Sequence, residues 1–312
     1  MNISHRSTQA TLGILIMAVA LAAVAVAQES QRPSKEGASM YFETGEVEVE
    51  TADGEKSYEY RFMRPDAKAG DGPHPLVVFL HGAGERGSDN ERQLTYLPRW
   101  MTREEHRNRH ACYLLAVQCP ENERWTRFVD EESWKVADIE LTNAMQAVLY
   151  AIDELIAEYD IDETRIYLTG LSMGGYGSWV LAARQPDRFA AVVPICGGGV
   201  VTSADRLKGV PIWAFHGLED KVVEEEESRL MIDAIREAGG LPRYTALEGV
   251  QHDSWTHAYN RSGAIEWMFS QQRSPKEKTE HSTSERECVH LCFSVVFEVI
   301  RASCGRYQRC EG

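Results

Sequence analysis

A serine flanked by glycines ends a short apolar run near the middle of the chain and is followed at once by small residues. Residues 165–177 read RIYLTGLSMGGYG, in which Ser172 lies between Gly170 and Gly174. This pattern predicts a strand that turns sharply into a helix, with the serine hydroxyl raised on the turn. Because the chain must pass close to itself on both sides of such a turn, a Cβ at position 170 or 174 would clash. Ser172 is therefore the first candidate nucleophile.

A serine that attacks a carbonyl carbon needs two N–H donors for the oxyanion as well as a base and an acid. The apolar run 75–80 leads into the glycine-rich sequence HGAGERG, which is typical of turns whose amides point at a substrate oxygen. We expect the N–H of Ala83, helped by that of Gly84, to face the N–H of Met173. The alternative interpretation is an ordinary turn in which glycine supplies a positive φ.

The candidate acid lies in the sequence HGLEDKVV, which follows a second apolar run at 211–216. We favour Asp220, because a short acidic side chain just past a strand end can hold a histidine with little conformational freedom. Glu219 and Glu224 are the alternatives. Most acids in loops are solvated surface charges, so the position alone does not decide the assignment.

Ten histidines compete for the role of the base. His252 follows the strand-like run 243–247 and a short turn, so it is expected on a loop at a strand end. His257 is expected on or near the next helix. His81 and His216 lie beside glycine turns, where an imidazole more often supports the loop. We therefore predict that His252 is the base.

The order of Ser172, Asp220 and His252 along the chain is the serine, acid, histidine order of α/β-hydrolases. The segments LHGAGERG, RIYLTGLSMGGYGSW, PICGGG, HGLEDKVV and GVQHDSWTHAY resemble the branch of that superfamily that contains secreted bacterial phospholipase/carboxylesterase-like, or prolyl-oligopeptidase-like, serine esterases. The similarity covers residues 41–272 and implies the same three residues as nucleophile, acid and base. Four glutamates at 224–227 depart from the family pattern and add charge near the acid.

Apolar runs and helical stretches alternate over the same region. Two stretches of alternating character, 45–50 and 58–63, predict an antiparallel edge pair. The longest helical pattern covers 138–159. The buried parallel strands are predicted at 76–80, 113–117, 165–169, 190–195, 211–215 and 243–247. This alternation predicts an α/β fold of the α/β-hydrolase type, with a mainly parallel central sheet, helices on both faces and a ligand site at the carboxyl ends of the strands.

Both ends of the chain fall outside this pattern. Residues 1–27 combine an early arginine with an apolar stretch that ends in Ala-Val-Ala, which predicts a secretory signal peptide and a secreted or periplasmic protein; an uncleaved anchor is the alternative. The polar residues 28–40 are predicted to form a linker. Residues 273–312 are predicted to be a partly disordered tail that contains four cysteines, for which disulfide pairing, a metal site or no role at all remain open.

Charge and aromatic residues bear on the partners. With 33 basic and 48 acidic residues the net charge is −15, which disfavours nucleic acid and anionic membrane surfaces. We expect no nucleic-acid partner and no membrane span in the mature form.

Gln118, Trp134 and Trp255 are candidate substrate-binding residues because they lie on loops beside the expected site, as does Trp125. Packing within the cap is the alternative for each tryptophan.

These observations predict a serine esterase that works by two-step acyl transfer on a small or polymer-derived ester, with no metal and no organic cofactor. The alternatives are a serine peptidase of the prolyl-oligopeptidase type and a depolymerase of hydroxyalkanoate or feruloyl esters. A binding protein without catalysis is a further alternative, which the intact set of three residues disfavours.

Overall fold

The computed structural model describes residues 35–129 and 135–274. The strands in these ranges are β1 Phe42–Thr51, β2 Gly54–Met63, β3 His74–Leu80, β4 Tyr113–Val117, β5 Ile161–Leu171, β6 Ala191–Ile195, β7 Trp213–Gly217 and β8 Arg243–Leu247. They form one sheet in the order β1-β2-β4-β3-β5-β6-β7-β8. The β1–β2 and β2–β4 pairs are antiparallel, and the other pairs are parallel. The predicted mainly parallel sheet with an antiparallel edge pair is confirmed.

Helices cover both faces of the sheet. The α-helices are α1 Lys35–Ser39, α2 Leu97–Met101, α3 Glu104–Arg109, α4 Asn143–Glu158, α5 Met173–Arg184, α6 Glu225–Glu237, α7 Ser254–Arg261 and α8 Ala264–Phe269. One buried cluster contains side chains of α4, α5 and α6, and a second contains side chains of α2, α7 and α8. No helix within the described ranges is both long enough and apolar enough to span a membrane.

The local sequence explains the burial of the strands. Strand β3 carries the sequence HPLVVFL and is buried along nearly its whole length, as expected for a central strand covered on both faces. At the sheet edge, β1 alternates instead, with Val47 and Val49 buried and Glu46 and Glu48 exposed. This alternation leaves one face of the edge strand in water.

The structure changes several predicted boundaries, among them the start of the longest helix and the end of the linker. Helix α4 begins at Asn143 instead of residue 138, because the Thr142 side chain accepts a hydrogen bond from the N–H of Met145 at 3.2 Å and caps the helix. The predicted linker 28–40 is wrong in its last part. Helix α1 begins at Lys35, Ala38 is 1% exposed, and the helix therefore belongs to the folded unit.

The folded unit ends at Arg273, whose N–H donates to the carbonyl of Thr164 at 3.0 Å. The predicted signal peptide, most of the predicted linker and nearly all of the predicted tail, with its cysteines at 288, 292, 304 and 310, lie outside the described residues. So does Trp134. The predictions for these residues stay predictions.

Candidate active site

Ser172 occupies the sharp turn between β5 and α5. Its backbone angles are φ 53° and ψ −118°, a conformation that costs energy for any residue with a Cβ. A Cβ on Gly170 would lie 2.3 Å from the carbonyl oxygen of Gly174, and a Cβ on Gly174 would lie 1.9 Å from that of Leu80. The predicted close approach at both glycines is therefore confirmed. The turn raises the hydroxyl at the carboxyl end of the sheet.

Three side chains that are distant in sequence form one hydrogen-bonded row. The Oγ of Ser172 lies 2.9 Å from the Nε2 of His252, and the Nδ1 of His252 lies 2.7 Å from the Oδ2 of Asp220. Each residue follows the end of a strand, β5, β8 and β7 respectively. The alternative acids Glu219 and Glu224 are exposed and lie outside this row. The arrangement can pass a proton from the hydroxyl to the imidazole while the carboxylate holds the ring.

The Asp220 carboxylate is buried and fully engaged. Its Oδ1 accepts hydrogen bonds from the N–H groups of Val222 and Val223 at 2.8 and 3.0 Å. Burial raises the pKa of this carboxyl, but the hydrogen bonds from His216, His252 and the two backbone groups outweigh burial and hold the pKa well below its usual range. Asp220 is therefore ionised wherever the protein is folded near neutral pH.

The glycine-rich turn after β3 lies against the turn that carries Ser172. A Cβ on Gly174 would also lie 2.8 Å from the carbonyl oxygen of His81, so the end of β3 and the start of α5 are in close contact. Ala83 and Gly84 begin a short 3-10 helix, and Met173 is the first residue of α5. The first N–H groups of a helix have no acceptor within that helix. The N–H groups of Ala83, Gly84 and Met173 therefore have no acceptor within their own helices, and the two helix starts lie on turns that are in close contact.

His81 supports this turn, as expected for a histidine beside a glycine. Its Nε2 accepts the N–H of Cys119 at 2.9 Å, its Nδ1 donates to the carbonyl of Gly82 at 2.7 Å, and its own carbonyl accepts the indole N–H of Trp125 at 2.9 Å. Burial lowers the pKa of His81 to about 4, so the ring is neutral. Trp125 is fully buried, and the packing alternative holds for it.

Gln118 is buried and its amide bonds to the protein, and its contact with a substrate stays a prediction. The side chain is 3% exposed; its Oε1 accepts from the N–H of Asn90 at 2.6 Å, and its Nε2 donates to the carbonyl of Glu85 and to Asp89 at 3.1 and 2.8 Å. Its amide is therefore used to hold the loop after β3. Gln118 lies just past the end of β4, as predicted, but its hydrogen-bond partners lie in the loop after β3.

Two aromatic side chains form a pair beside His252. The ring centroid of Trp255 lies 5.3 Å from that of His252 with the planes perpendicular, and the ring centroid of Tyr96 lies 5.2 Å from that of Trp255. Tyr96 has a positive φ of 66°, which is rare for a residue with a Cβ. Sequence reasoning missed Tyr96 because no local pattern marks this conformation. Contact of Trp255 with a substrate stays a prediction.

Potential metal ligands also meet here. Atoms of Cys196, Asp220 and His252 that could bind a metal lie within 4.8 Å of one another. Two atoms that share a metal ion at about 2.0–2.3 Å each are usually more than about 3 Å apart, whereas the Nδ1 and Oδ2 atoms are 2.7 Å apart. Burial also raises the pKa of the Cys196 thiol and disfavours the thiolate that a metal needs. The geometry fits proton sharing better than metal binding.

Comparison with known proteins bears on the family. A model of the family described as phospholipase/carboxylesterase matches residues 67–261, more than half of the chain. A solved structure of a thermostable esterase superposes with a TM-score of 0.67 at 40% identity, over 75% of this chain and 64% of that one. The fold prediction of an α/β-hydrolase is confirmed by these two matches.

Two curated proteins match shorter segments. A bifunctional acetylxylan esterase/xylanase of Neocallimastix patriciarum is 31% identical over 117 residues, which are 34% of this chain and 17% of that protein. Poly(3-hydroxyalkanoate) depolymerase C of Paucimonas lemoignei is 47% identical over 47 residues, 15% of this chain and 11% of that protein. The chain thus covers less than two thirds of the length of either protein, and the same holds for the thermostable esterase.

Proposed function

We propose that this chain, which belongs to the phospholipase/carboxylesterase family, hydrolyses carboxylic esters through an acyl-enzyme intermediate. The observation that carries the proposal is the hydrogen-bonded row of Ser172, His252 and Asp220, with distances of 2.9 and 2.7 Å. The esterase relatives support the same class of reaction.

We also propose that residues 1–27 direct export, which N-terminal sequencing of the secreted protein would test.

In the first step His252 takes the hydroxyl proton as the Oγ of Ser172 attacks the ester carbonyl carbon. The negative charge that develops on the carbonyl oxygen is stabilised by the N–H groups of Ala83 and Met173, with help from Gly84. The bond to the alcohol oxygen then breaks, and the alcohol leaves with the proton that His252 held. The acyl group remains on the serine.

In the second step water repeats the attack on the acyl carbon. His252 takes a proton from the water, the same N–H groups stabilise the oxyanion, and the proton returns to the Oγ of Ser172 as the acid leaves. Asp220 remains ionised throughout, because hydrogen bonds hold its pKa well below the usual range against the effect of burial. The carboxylate stabilises the imidazolium that forms in both steps.

A fluorophosphonate probe followed by an ester panel tests the proposal. The probe phosphonylates an activated serine, so the wild type is expected to become labelled, whereas a binding protein without catalysis would not react. The panel compares p-nitrophenyl esters of increasing acyl length, acetylated and feruloylated sugars, hydroxyalkanoate oligomers and prolyl peptide amides. Turnover of the amides above the esters would favour a peptidase and overturn the esterase proposal.

The relatives suggest which esters to test first. The names of these two relatives point to acetylated xylan and to poly(3-hydroxyalkanoate). Since each match covers a minor part of those proteins, the choice between the two substrates rests on the panel. Trp255, which lies beside His252, is the side chain we propose as the wall that the acyl or sugar group contacts.

The value of kcat/KM is expected to rise about tenfold per pH unit on the acid side and then to level off. An imidazole base cannot accept the serine proton while it is protonated, and histidine is the side chain type that ordinarily changes charge between pH 5 and 8. Asp220 does not add a second step, because its lowered pKa keeps it ionised across this range. Rates with a p-nitrophenyl ester from pH 5 to 8 check this; a flat profile, or a slope of two, would contradict it.

A further inference from the structure

The position of His252 fixes where the alcohol part of an ester lies. In the proposed mechanism the Nε2 of His252 takes the proton of Ser172 and then passes it to the alcohol oxygen. That oxygen must therefore come within hydrogen-bonding distance of the same nitrogen, which lies 2.9 Å from the Oγ of Ser172. The atoms attached to the alcohol oxygen are thus placed beside His252.

Trp255 and Tyr96 form an aromatic wall next to this position. The ring centroids of His252 and Trp255 are 5.3 Å apart, and those of Trp255 and Tyr96 are 5.2 Å apart. Both aromatic side chains are partly exposed, and both pack against the buried cluster that contains side chains of α2, α7 and α8. Each ring therefore has one part that is anchored in the protein and another part that contacts solvent.

The fold holds Tyr96 in this place at an energetic cost. Its backbone angles, φ 66° and ψ −119°, are close to those of Ser172, φ 53° and ψ −118°. Such a conformation persists where the surrounding structure enforces it, and it is concentrated at binding and catalytic sites. The ring centroid of Trp100, a side chain that is 3% exposed, lies 6.5 Å from that of Tyr96 and supports it from the interior. The wall is therefore formed before a substrate binds.

Two carboxylates lie near the hydroxyl of Tyr96. Burial raises the pKa of this hydroxyl, and the carboxylates of Glu85 and Asp253 raise it further. Glu85 belongs to the short 3-10 helix that starts at Ala83, and Asp253 directly follows His252. Tyr96 is thus within electrostatic reach of the turn after β3 and of the loop that carries His252. Carboxylates accept hydrogen bonds from hydroxyl groups and repel anions.

Aromatic rings beside carboxylates are the chemistry that recognises an uncharged sugar. A pyranose presents C–H groups on its faces, which pack on aromatic rings, and hydroxyl groups around its edge, which donate to carboxylates. An alcohol part that itself ends in a carboxylate, as in a hydroxyalkanoate oligomer, would be repelled. A hydrocarbon ring would pack on the wall but would give the carboxylates no hydrogen bond.

We propose that Trp255 and Tyr96 form a leaving-group subsite for an uncharged sugar ring, so that the preferred substrates are esters of sugar hydroxyl groups. The inference rests on the proposed esterase function and deepens it by naming the alcohol part of the ester. Tyr96 and Trp255 are specificity-determining residues in this subsite. They select the alcohol and not the acyl group, because the acyl group stays on Ser172 after the alcohol has left.

Acyl transfer to an added alcohol tests the subsite in the wild type. p-Nitrophenyl acetate acetylates Ser172, and methyl xylopyranoside, 3-hydroxybutyrate or cyclohexanol, all secondary alcohols, is offered in competition with water. In the reverse of the first step, His252 takes the proton of the added hydroxyl, the hydroxyl oxygen attacks the acyl carbon, the bond to the Oγ of Ser172 breaks, and the proton returns to that Oγ.

The acetylated xyloside is expected to form about tenfold faster than the acetate of either other alcohol at equal concentration. Quantifying the products by chromatography measures the ratio. Transfer to 3-hydroxybutyrate or to cyclohexanol that equals or exceeds transfer to the xyloside would overturn the proposal.

The variants Tyr96→Leu and Trp255→Leu test the two side chains. Acetylated methyl xylopyranoside and ethyl acetate form the same acetyl-enzyme, so a general loss of activity cancels in the ratio of their kcat/KM values. Each variant is expected to lower this ratio about tenfold, because the sugar loses an aromatic surface whereas the ethyl group reaches little of it. Trp267→Leu is the matched control, since Trp267 packs on the same cluster but pairs with Trp213 at 5.6 Å. It should leave the ratio near that of the wild type.

The outcomes separate this inference from the proposed function. If the fluorophosphonate probe does not label the wild type, the esterase proposal fails and the subsite fails with it. If the wild type is labelled but transfers the acetyl group to the sugar no faster than to cyclohexanol, the subsite alone fails. An unchanged ratio in folded Tyr96→Leu and Trp255→Leu proteins would also refute the subsite. If a variant does not fold, as judged by thermal melting, the transfer experiment on the wild type decides the question.

Discussion

Replacing Ser172 with alanine is expected to lower kcat/KM for a p-nitrophenyl ester by about five to six powers of ten, because no other group on the row can form the acyl intermediate. Folding should be unaffected. Alanine keeps the Cβ and the backbone geometry of the turn, and the hydroxyl lost makes one side-chain hydrogen bond, to His252 at 2.9 Å. Initial rates, fluorophosphonate labelling and thermal melting of the same preparation measure the effect, with Tm expected within about 2 °C of the wild type.

Ser178, which lies inside helix α5, serves as the control. Ser178 is fully buried, and its hydroxyl donates to the carbonyl of Gly174 at 2.8 Å, away from the row. Ser178→Ala should cost about 1 kcal/mol of stability and leave labelling intact. If Ser172→Ala retained more than about one per cent of the wild-type rate, Ser172 would not be the nucleophile, because such a residual rate exceeds what binding and the oxyanion donors alone supply.

Much of the row could be predicted from sequence because each member lies within five residues of a strand end. The runs at β4 and β8 were predicted with the bounds that the structure has, 113–117 and 243–247. Parallel strands place their carboxyl ends at one edge of the sheet, so residues just beyond those ends meet without further information. The glycines at 170 and 174 were predictable for a separate, local reason, because a Cβ at either position would clash with the backbone.

Side-chain partners across the fold could not be predicted in this way. Gln118 and His252 both follow strand ends, but the loop after β3 uses all of the Gln118 amide. His81 and His216 carry the same local signal, a histidine and a glycine at a strand end. Their partners differ, because the ring of His81 bonds to the N–H of Cys119 and the ring of His216 bonds to the hydroxyl of Ser228.

Replacing Gly174 with alanine is expected to damage stability and activity together. The added Cβ would lie 1.9 Å from the carbonyl oxygen of Leu80 and 2.8 Å from that of His81, both backbone atoms that no rotamer change can move. The start of α5 or the end of β3 must then shift by more than about 1 Å, since carbon and oxygen do not ordinarily approach so closely. Ser172 and the N–H groups beside it would move with the backbone.

The expected cost is about 3 kcal/mol or more in the free energy of unfolding, measured by urea denaturation, with a loss of about 100-fold or more in kcat/KM in whatever fraction folds. The control is Gly209→Ala, since a Cβ at that position would meet nothing within 4 Å and should leave both quantities near wild type. Wild-type stability and activity in Gly174→Ala would mean that the contact with the end of β3 does not hold the turn of Ser172 in place. The active geometry would then have to come from the loops around it.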